Sequence, residues 1–181
     1  MMEDGLPLVI VLPSGVYGPH GGTSTDLFRN YLRGDVPMIP RDWAMAYDHA
    51  EDIAQAHLKA IEEGAPGEEY IISSQARTMV ELLECAEEIT GIPAPRPVPD
   101  AVFATLATVM RNVERVTTPP EGFESEALEL LAGRQWYVDN SKAKRELGVE
   151  FRSLEEGLRD YLPWELDQLG MEMRIEQPPT Q

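Results

Sequence analysis

The chain has 181 residues, with 32 acidic side chains against 15 basic ones and a net charge of −17. A surface of that sign repels phosphate backbones and anionic membranes, which excludes roles built on nucleic-acid or membrane-surface binding. Lys59, Lys142 and Lys144 are the only lysines. Such an acidic, lysine-poor surface suits high salt, where screening relieves self-repulsion. The melting temperature is therefore expected to rise between dilute and molar KCl, and an unchanged value would exclude salt adaptation.

Cys85 stands alone, so no internal disulfide can form, and His20, His49 and His57 are too scattered for metal-ligand spacing. Met1-Met-Glu-Asp lacks the basic start of a secretion signal, and no apolar run is long enough to span a bilayer. A cytoplasmic protein is expected.

Leu8 to Leu12 is five apolar residues in a row. That pattern suits a strand in the middle of a parallel sheet, covered by helices on both faces. A glycine- and proline-rich turn follows over Gly15 to Gly22, then a helix with Thr23 or Ser24 as N-cap. Leu27, Phe28, Tyr31 and Leu32 point inward and Gly34 stops it. The prolines of Val36-Pro-Met-Ile-Pro40 make that stretch an extended connector. Asp48-x-x-Glu51 reads as a capping box opening a helix to Glu63, with Ile53, His57, Ala60 and Ile61 on one face. Glu69 to Ser73 is a second strand.

Thr78-x-x-Glu81 opens a helix whose apolar stripe is Met79, Leu82, Leu83, Ala86 and Ile89, stopped by Gly91 and Pro93. The proline-dense stretch 93–99 is a surface crossing. Helices are expected over Ala101 to Val116, Glu124 to Ala132 and Asp139 to Leu147. A third capping box, Ser153-x-x-Glu156, opens a helix to Leu162. Residues 171–181 are polar and proline-tipped, a tail expected to be disordered beyond a domain of residues 1–170. Two strands and about seven helices leave Leu8 to Leu12 without the strand neighbours that both its faces need. Either another chain completes the sheet or residues preceding Met1 do.

Gly15-Val-Tyr-Gly18-Pro-His-Gly21 has a GxxGxxG spacing between a strand and a helix. A dinucleotide fingerprint there would place the pyrophosphate on the helix N-terminus and be followed by a second buried strand ending in an acid. Val36-Pro-Met-Ile-Pro40 cannot be that strand, and Pro19 and Gly22 suit a wider turn. The motif is read as a turn in a sheet crevice.

Five segments in order carry a resemblance: Leu12-Pro-Ser-Gly-Val-Tyr-Gly-Pro19, Tyr47-Asp-His-Ala-Glu-Asp52-Ile-Ala-Gln-Ala-His57, Gly67-Glu-Glu-Tyr-Ile-Ile-Ser73, Asp139-Asn-Ser-Lys-Ala-Lys-Arg-Glu-Leu-Gly148 and Leu154-Glu-Glu-Gly-Leu-Arg. Over residues 5 to about 164 the chain resembles the C-terminal half of the extended short-chain dehydrogenase/reductases. These include the NAD-dependent epimerases and dehydratases and the dihydroflavonol-reductase-like enzymes. The resemblance implies an α/β fold: the C-terminal part of a Rossmann-like doubly wound parallel sheet plus a mainly helical substrate-binding lobe, with the N-terminal nucleotide-binding part missing. It also implies NAD or NADP as cofactor and a small-molecule substrate.

Family members carry a glycine-rich fingerprint and a catalytic Tyr-x-x-x-Lys pair upstream of the strand that opens this chain. Four residues after Tyr17, Tyr31, Tyr47, Tyr70, Tyr137 and Tyr161 stand Gly21, Asp35, Glu51, Ser74, Ser141 and Glu165, none a lysine. The lysine lowers the tyrosine pKa so that a phenolate can act as general base, so this chain alone is expected to be inactive. By the resemblance, Pro13 and Ser14 face the nicotinamide end of the cofactor, with Val16 a weaker backbone contact. Gly15, Tyr17 and His20 face the substrate, and residues 93–135 form a variable lid. Sugar-nucleotide enzymes typically have Asn at Gly15 and Arg at Leu12, so a carbonyl or secondary alcohol is favoured over a sugar nucleotide. His49 and Asp52 match the family's His-x-x-Asp signature and are expected to brace a helix start. A non-catalytic remnant, or half of a split enzyme, acting as an interaction module is the alternative.

Overall fold

The computed structural model describes residues 7–22, 24–119 and 122–173. Thr23 and most of the expected tail, residues 174–181, lie outside the described residues.

The apolar run that opens the chain forms β1 (Ile10–Pro13), paired in parallel with β6 (Glu69–Ile72) so that Pro13 stands opposite Ile72. β1 is not buried on both faces: Leu12 is 44 % exposed and Leu8 37 %. Among the described residues β6 is the only strand beside it, and one neighbour cannot cover a strand written for the middle of a sheet. The chain bends at Ser14 and re-pairs at once. β2 (Gly15–Tyr17), expected as turn, runs parallel to β5 (Tyr47–His49).

The extended connector also pairs, as β3 (Met38–Pro40) beside β8 (Arg96–Val98). Proline is tolerated in such a two-stranded ribbon because its missing N–H can face away from the partner. β4 (Ala44–Met45) and β7 (Arg77–Thr78) form a short antiparallel pair. The described strands thus fall into four two-stranded sheets, and helices supply most of the packing.

The helices are α1 (Thr25–Arg33), α2 (Ala50–Glu63), α3 (Met79–Thr90), α4 (Asp100–Val113), α5 (Ser125–Leu130), α6 (Ser141–Leu147) and α7 (Leu154–Leu169). Ser24 is the N-cap residue of α1, although its side chain makes no capping hydrogen bond. α3 buries its expected stripe of Met79, Leu82, Leu83, Ala86 and Ile89. The complete capping boxes of α3 and α7 are present at Thr78/Glu81 and Ser153/Glu156. Thr78→Ala and Ser153→Ala are each expected to cost about 1 kcal/mol, read as a lower urea midpoint with unchanged slope.

α7 runs a further two turns past Leu162, through Pro163. An interior proline opposes a helix by ~3 kcal/mol. Burial of Tyr161, Leu162, Glu165 and Leu166 on the same face offsets that cost. α1, α3 and α7 enclose the main core, which includes Tyr17, Phe28, Tyr31, Leu82, Leu83, Leu158 and Tyr161. A second cluster joins α2 and α6 to β1 and β6, and a third joins α4 to α5.

In α2, Ile53, Ala56 and Ala60 are buried, whereas Ile61, expected on the inner face, is 79 % exposed and His57 is also exposed. The capping box expected at Asp48 does not form. His49 is the N-cap, and its Nδ1 accepts from the Glu51 N–H at 3.3 Å. Asp48 points elsewhere, its Oδ1 accepting from the Ser74 N–H at 2.8 Å.

Candidate functional site

The parallel strands β1 and β6 end side by side, and the chain leaves them at Ser14 and Ser73. Ligands in open α/β sheets bind at such carboxyl ends, where the diverging chains leave a crevice. A groove of about 370 Å³ opens there, lined by Leu12, Pro13, Ser14, Gly15, Met45, Ile71, Ser73, Trp136 and Val138. Its walls are apolar, and only Ser14 and Ser73 bring hydroxyls.

Three of the expected site residues, Pro13, Ser14 and Gly15, meet in this groove. Gly15 is a packing glycine: a Cβ there would stand 2.6 Å from Met45 Cε and 2.9 Å from Ser24 Oγ. Its N–H donates to the Ala46 carbonyl at 3.2 Å. Val16 lies one step deeper. Its side chain packs against the α2/α6 cluster and its carbonyl accepts from the Ser24 N–H at 2.9 Å.

Tyr17 does not face the groove. It is buried among Phe28, His49 and Tyr161 at ring separations of 5.4–5.6 Å, because strand alternation turns it to the opposite side from Val16. Burial first, then nearby Asp48, holds its hydroxyl pKa far above the ordinary tyrosine value. Tyr17 is therefore a core residue, not the groove-facing one the sequence suggested. His20 is an exposed turn residue at φ 69°, its ring 5.3 Å from Trp164 on α7, and it does not line the groove.

Sequence reasoning passed over Met45, Trp136 and Val138. Trp136 is 48 % exposed, its backbone N–H donates to the Ala44 carbonyl at 2.8 Å, and Asn140 Nδ2 donates to the Ser73 carbonyl at 2.5 Å. These two bonds hold the 136–140 segment over the carboxyl ends of the strands. The available signal was Trp136-Tyr137-Val138, three large apolar residues in a row outside any helix.

His49 and Asp52 are tied into the scaffold. Arg152 donates through Nε and its backbone N–H to the two Asp52 oxygens, both at 3.0 Å, and through Nη2 to Glu51 at 2.9 Å. Burial chiefly, then the Arg152 charge, lowers the His49 pKa. His49, Glu51 and Asp160 lie close enough to share a cation. The Arg152 guanidinium already sits on both carboxylates, with Nη1 3.4 Å from Asp160.

Asp48 is buried, and burial pushes its pKa up while the Ser74 hydrogen bonds pull the other way. A carboxyl whose folded pKa lies above its unfolded value contributes fully at acid pH and loses stability as pH rises through that value. Asp48→Asn is therefore expected to gain on wild type in melting temperature as pH rises from about 4 to 7. A constant difference would count against the burial argument.

The fold defines part of a Rossmann-like α/β protein, with the groove lying at the carboxyl ends of its parallel strands β1 and β6. No known family profile matches the chain. It is similar to sterol demethylase protein B of Methylococcus capsulatus, at 28 % identity over 88 % of this chain and 50 % of that protein. It is also similar to tetraketide alpha-pyrone reductase 1 of Arabidopsis thaliana, at 30 % identity over 52 % of this chain and 30 % of that one. Among solved structures it superposes on a nucleoside-diphosphate-sugar epimerase from Pseudomonas aeruginosa. There the TM-score is 0.76 and the identity 26 %, over 94 % of this chain and 52 % of that one.

The chain spans about half the length of the curated relatives it matches most fully. Reductases and epimerases stand among the proteins it is similar to, a likeness consistent with the C-terminal half of such an enzyme. Among the described residues no helix is long and apolar enough to cross a membrane.

Proposed function

We propose that this chain is the substrate-binding portion of an NAD(P)-dependent oxidoreductase or epimerase acting on a carbonyl or secondary alcohol. The observation that carries this reading is the groove that brings Pro13, Ser14 and Gly15 to the carboxyl ends of β1 and β6. Its lining fits one end of a nicotinamide coenzyme and not the whole of it. Pro13 offers a flat apolar wall and Ser14 a hydroxyl, but no cation stands in the groove to meet a diphosphate.

The coenzyme would supply the hydride. This chain would orient the ring at Pro13 and Ser14, exclude water with Met45 and Trp136, and accept an apolar substrate against Trp136 and Val138. With no Tyr-x-x-x-Lys in its sequence, the chain by itself performs no proton transfer, and another polypeptide segment supplies that pair. The same reasoning assigns the exposed edge of β1 to a strand that completes the sheet.

The test is to translate the coding DNA upstream of Met1 in the same frame, express the joined polypeptide and assay it with NADH and NADPH against ketones. An open frame carrying the glycine fingerprint and Tyr-x-x-x-Lys, with activity lost in Ser14→Trp, supports the proposal. A stop codon favours the interaction module instead. The exposure of Leu8, Leu12 and Ile61 fits that second reading as well, because a module needs such a face to engage its partner.

A further inference from the structure

Away from the groove, a cleft of about 220 Å³ lies between the loop that follows β6 and the connector from α6 to α7. Its polar lining is Ser74, Gln75, Arg77, Lys144, Arg152 and Ser153, and Tyr47 forms part of the wall. No acidic side chain lines it, in a chain with twice as many acids as bases. This concentration of cations runs against the charge of the whole surface.

The three cations are not equivalent. Arg152 is saturated by Glu51, Asp52 and Asp160 and serves the scaffold. Arg77 has only a 3.9 Å contact with Glu81. Lys144 makes no ion pair among the described residues. Two cations thus approach the cleft from different elements, Arg77 from β7 and Lys144 from α6.

The helix N-termini beside the cleft do not provide the attraction. Glu81 and Glu156 already accept from the N-cap groups of α3 and α7. What does point to a ligand is Tyr47. It is 5 % exposed, and its hydroxyl has no hydrogen-bond partner. A buried donor left unmade costs ~1–3 kcal/mol, and a bound acceptor would recover it.

We infer that this cleft binds a phosphate group, held as a dianion between Arg77 and Lys144, with the Gln75 amide and the Tyr47 hydroxyl as donors. The inference is independent of the proposed redox role, since the cleft shares no lining residue with the groove.

The experiment is thermal unfolding and calorimetric titration of the full chain with inorganic phosphate and with glycerol 3-phosphate, against NaCl at matched ionic strength. The matched control is essential, because any salt screens a chain of this net charge. At ten times the Kd, phosphate is expected to raise the Tm by about 3–6 °C beyond the control. Tighter binding of the ester would assign the phosphate to a larger metabolite, and equal binding to the free ion.

Lys144→Glu and Arg77→Gln change exposed side chains and are expected to fold and to lose the shift. Tyr47→Phe removes the orphan hydroxyl while keeping the ring. It is expected to match or exceed wild type in Tm without ligand and to bind phosphate about tenfold more weakly (~1.4 kcal/mol). A shift equalled by NaCl, or retained in either charge variant, overturns the inference, as does wild-type affinity in Tyr47→Phe.

Discussion

Replacing Arg29 with alanine is expected to destabilise the fold by about 3 kcal/mol. Glu165 lies on the inner face of α7 with no exposed surface. Its Oε1 accepts from Arg29 Nε at 2.6 Å and its Oε2 from the Tyr161 hydroxyl at 2.8 Å. Removing one partner of a buried ion pair typically costs ~3–5 kcal/mol, because the remaining charge is stranded away from water. Arg29 itself is 37 % exposed, so water can reach the vacated side, and the lower end of that range applies.

The reverse substitution separates charge from packing. Arg29→Ala combined with Glu165→Gln leaves a neutral amide that can still accept from Tyr161. The pair is expected to recover well over half of the single-variant loss. Chemical denaturation of wild type, both single variants and the double closes the cycle. A double variant no more stable than Arg29→Ala would show that the loss is lost packing by the arginine stem and not a stranded charge.

That ion pair was only half legible in the sequence. Glu165 falls on the i+3/i+4 stripe of Leu158, Tyr161, Leu162 and Leu166, so its burial follows once α7 is known to continue. The stop placed before Pro163 hid it. Local propensity argued for that stop, and the continuation depends on tertiary burial, which no local pattern records.

The same division runs through the rest of the fold. Thr78, Ser153 and the stripe of α3 were readable because a capping box and an apolar periodicity are satisfied within one turn or one helix. β2 was not, since three residues pair with Tyr47–His49 some thirty residues away and leave no alternation to see. Asp48 and His49 exchange roles for a related reason. Both can cap a helix, and the choice fell to His49 because the Ser74 N–H, just past β6, claims the Asp48 carboxylate. In the groove, Pro13, Ser14 and Gly15 were found through a short motif, whereas Met45 and Trp136 reach it from separate segments. Tyr17 belonged to the same motif, and strand alternation sent it into the core.

Gly157→Ala tests how tightly that core holds Tyr17, and a loss of about 2 kcal/mol is expected. On propensity alone the substitution should help, since alanine favours a helix interior over glycine by ~1 kcal/mol. The new Cβ, however, would fall on the Tyr17 hydroxyl, with Tyr17 Cζ at 3.2 Å and Arg152 Cδ at 3.3 Å. Tyr17 cannot swing away, because Phe28, His49 and Tyr161 close on its ring from three sides. Overpacking of this kind typically costs 1–3 kcal/mol and moves backbone. Here the backbone that would move is β2, whose first residue, Gly15, lines the groove beside Ser14. The Tm is expected to fall by about 4–8 °C, and Tyr17→Phe in the same chain should restore most of it by removing the oxygen in the way. If Gly157→Ala instead melts higher than wild type, α7 can slide outward at little cost, and the groove cannot owe its shape to the contact between Tyr17 and α7.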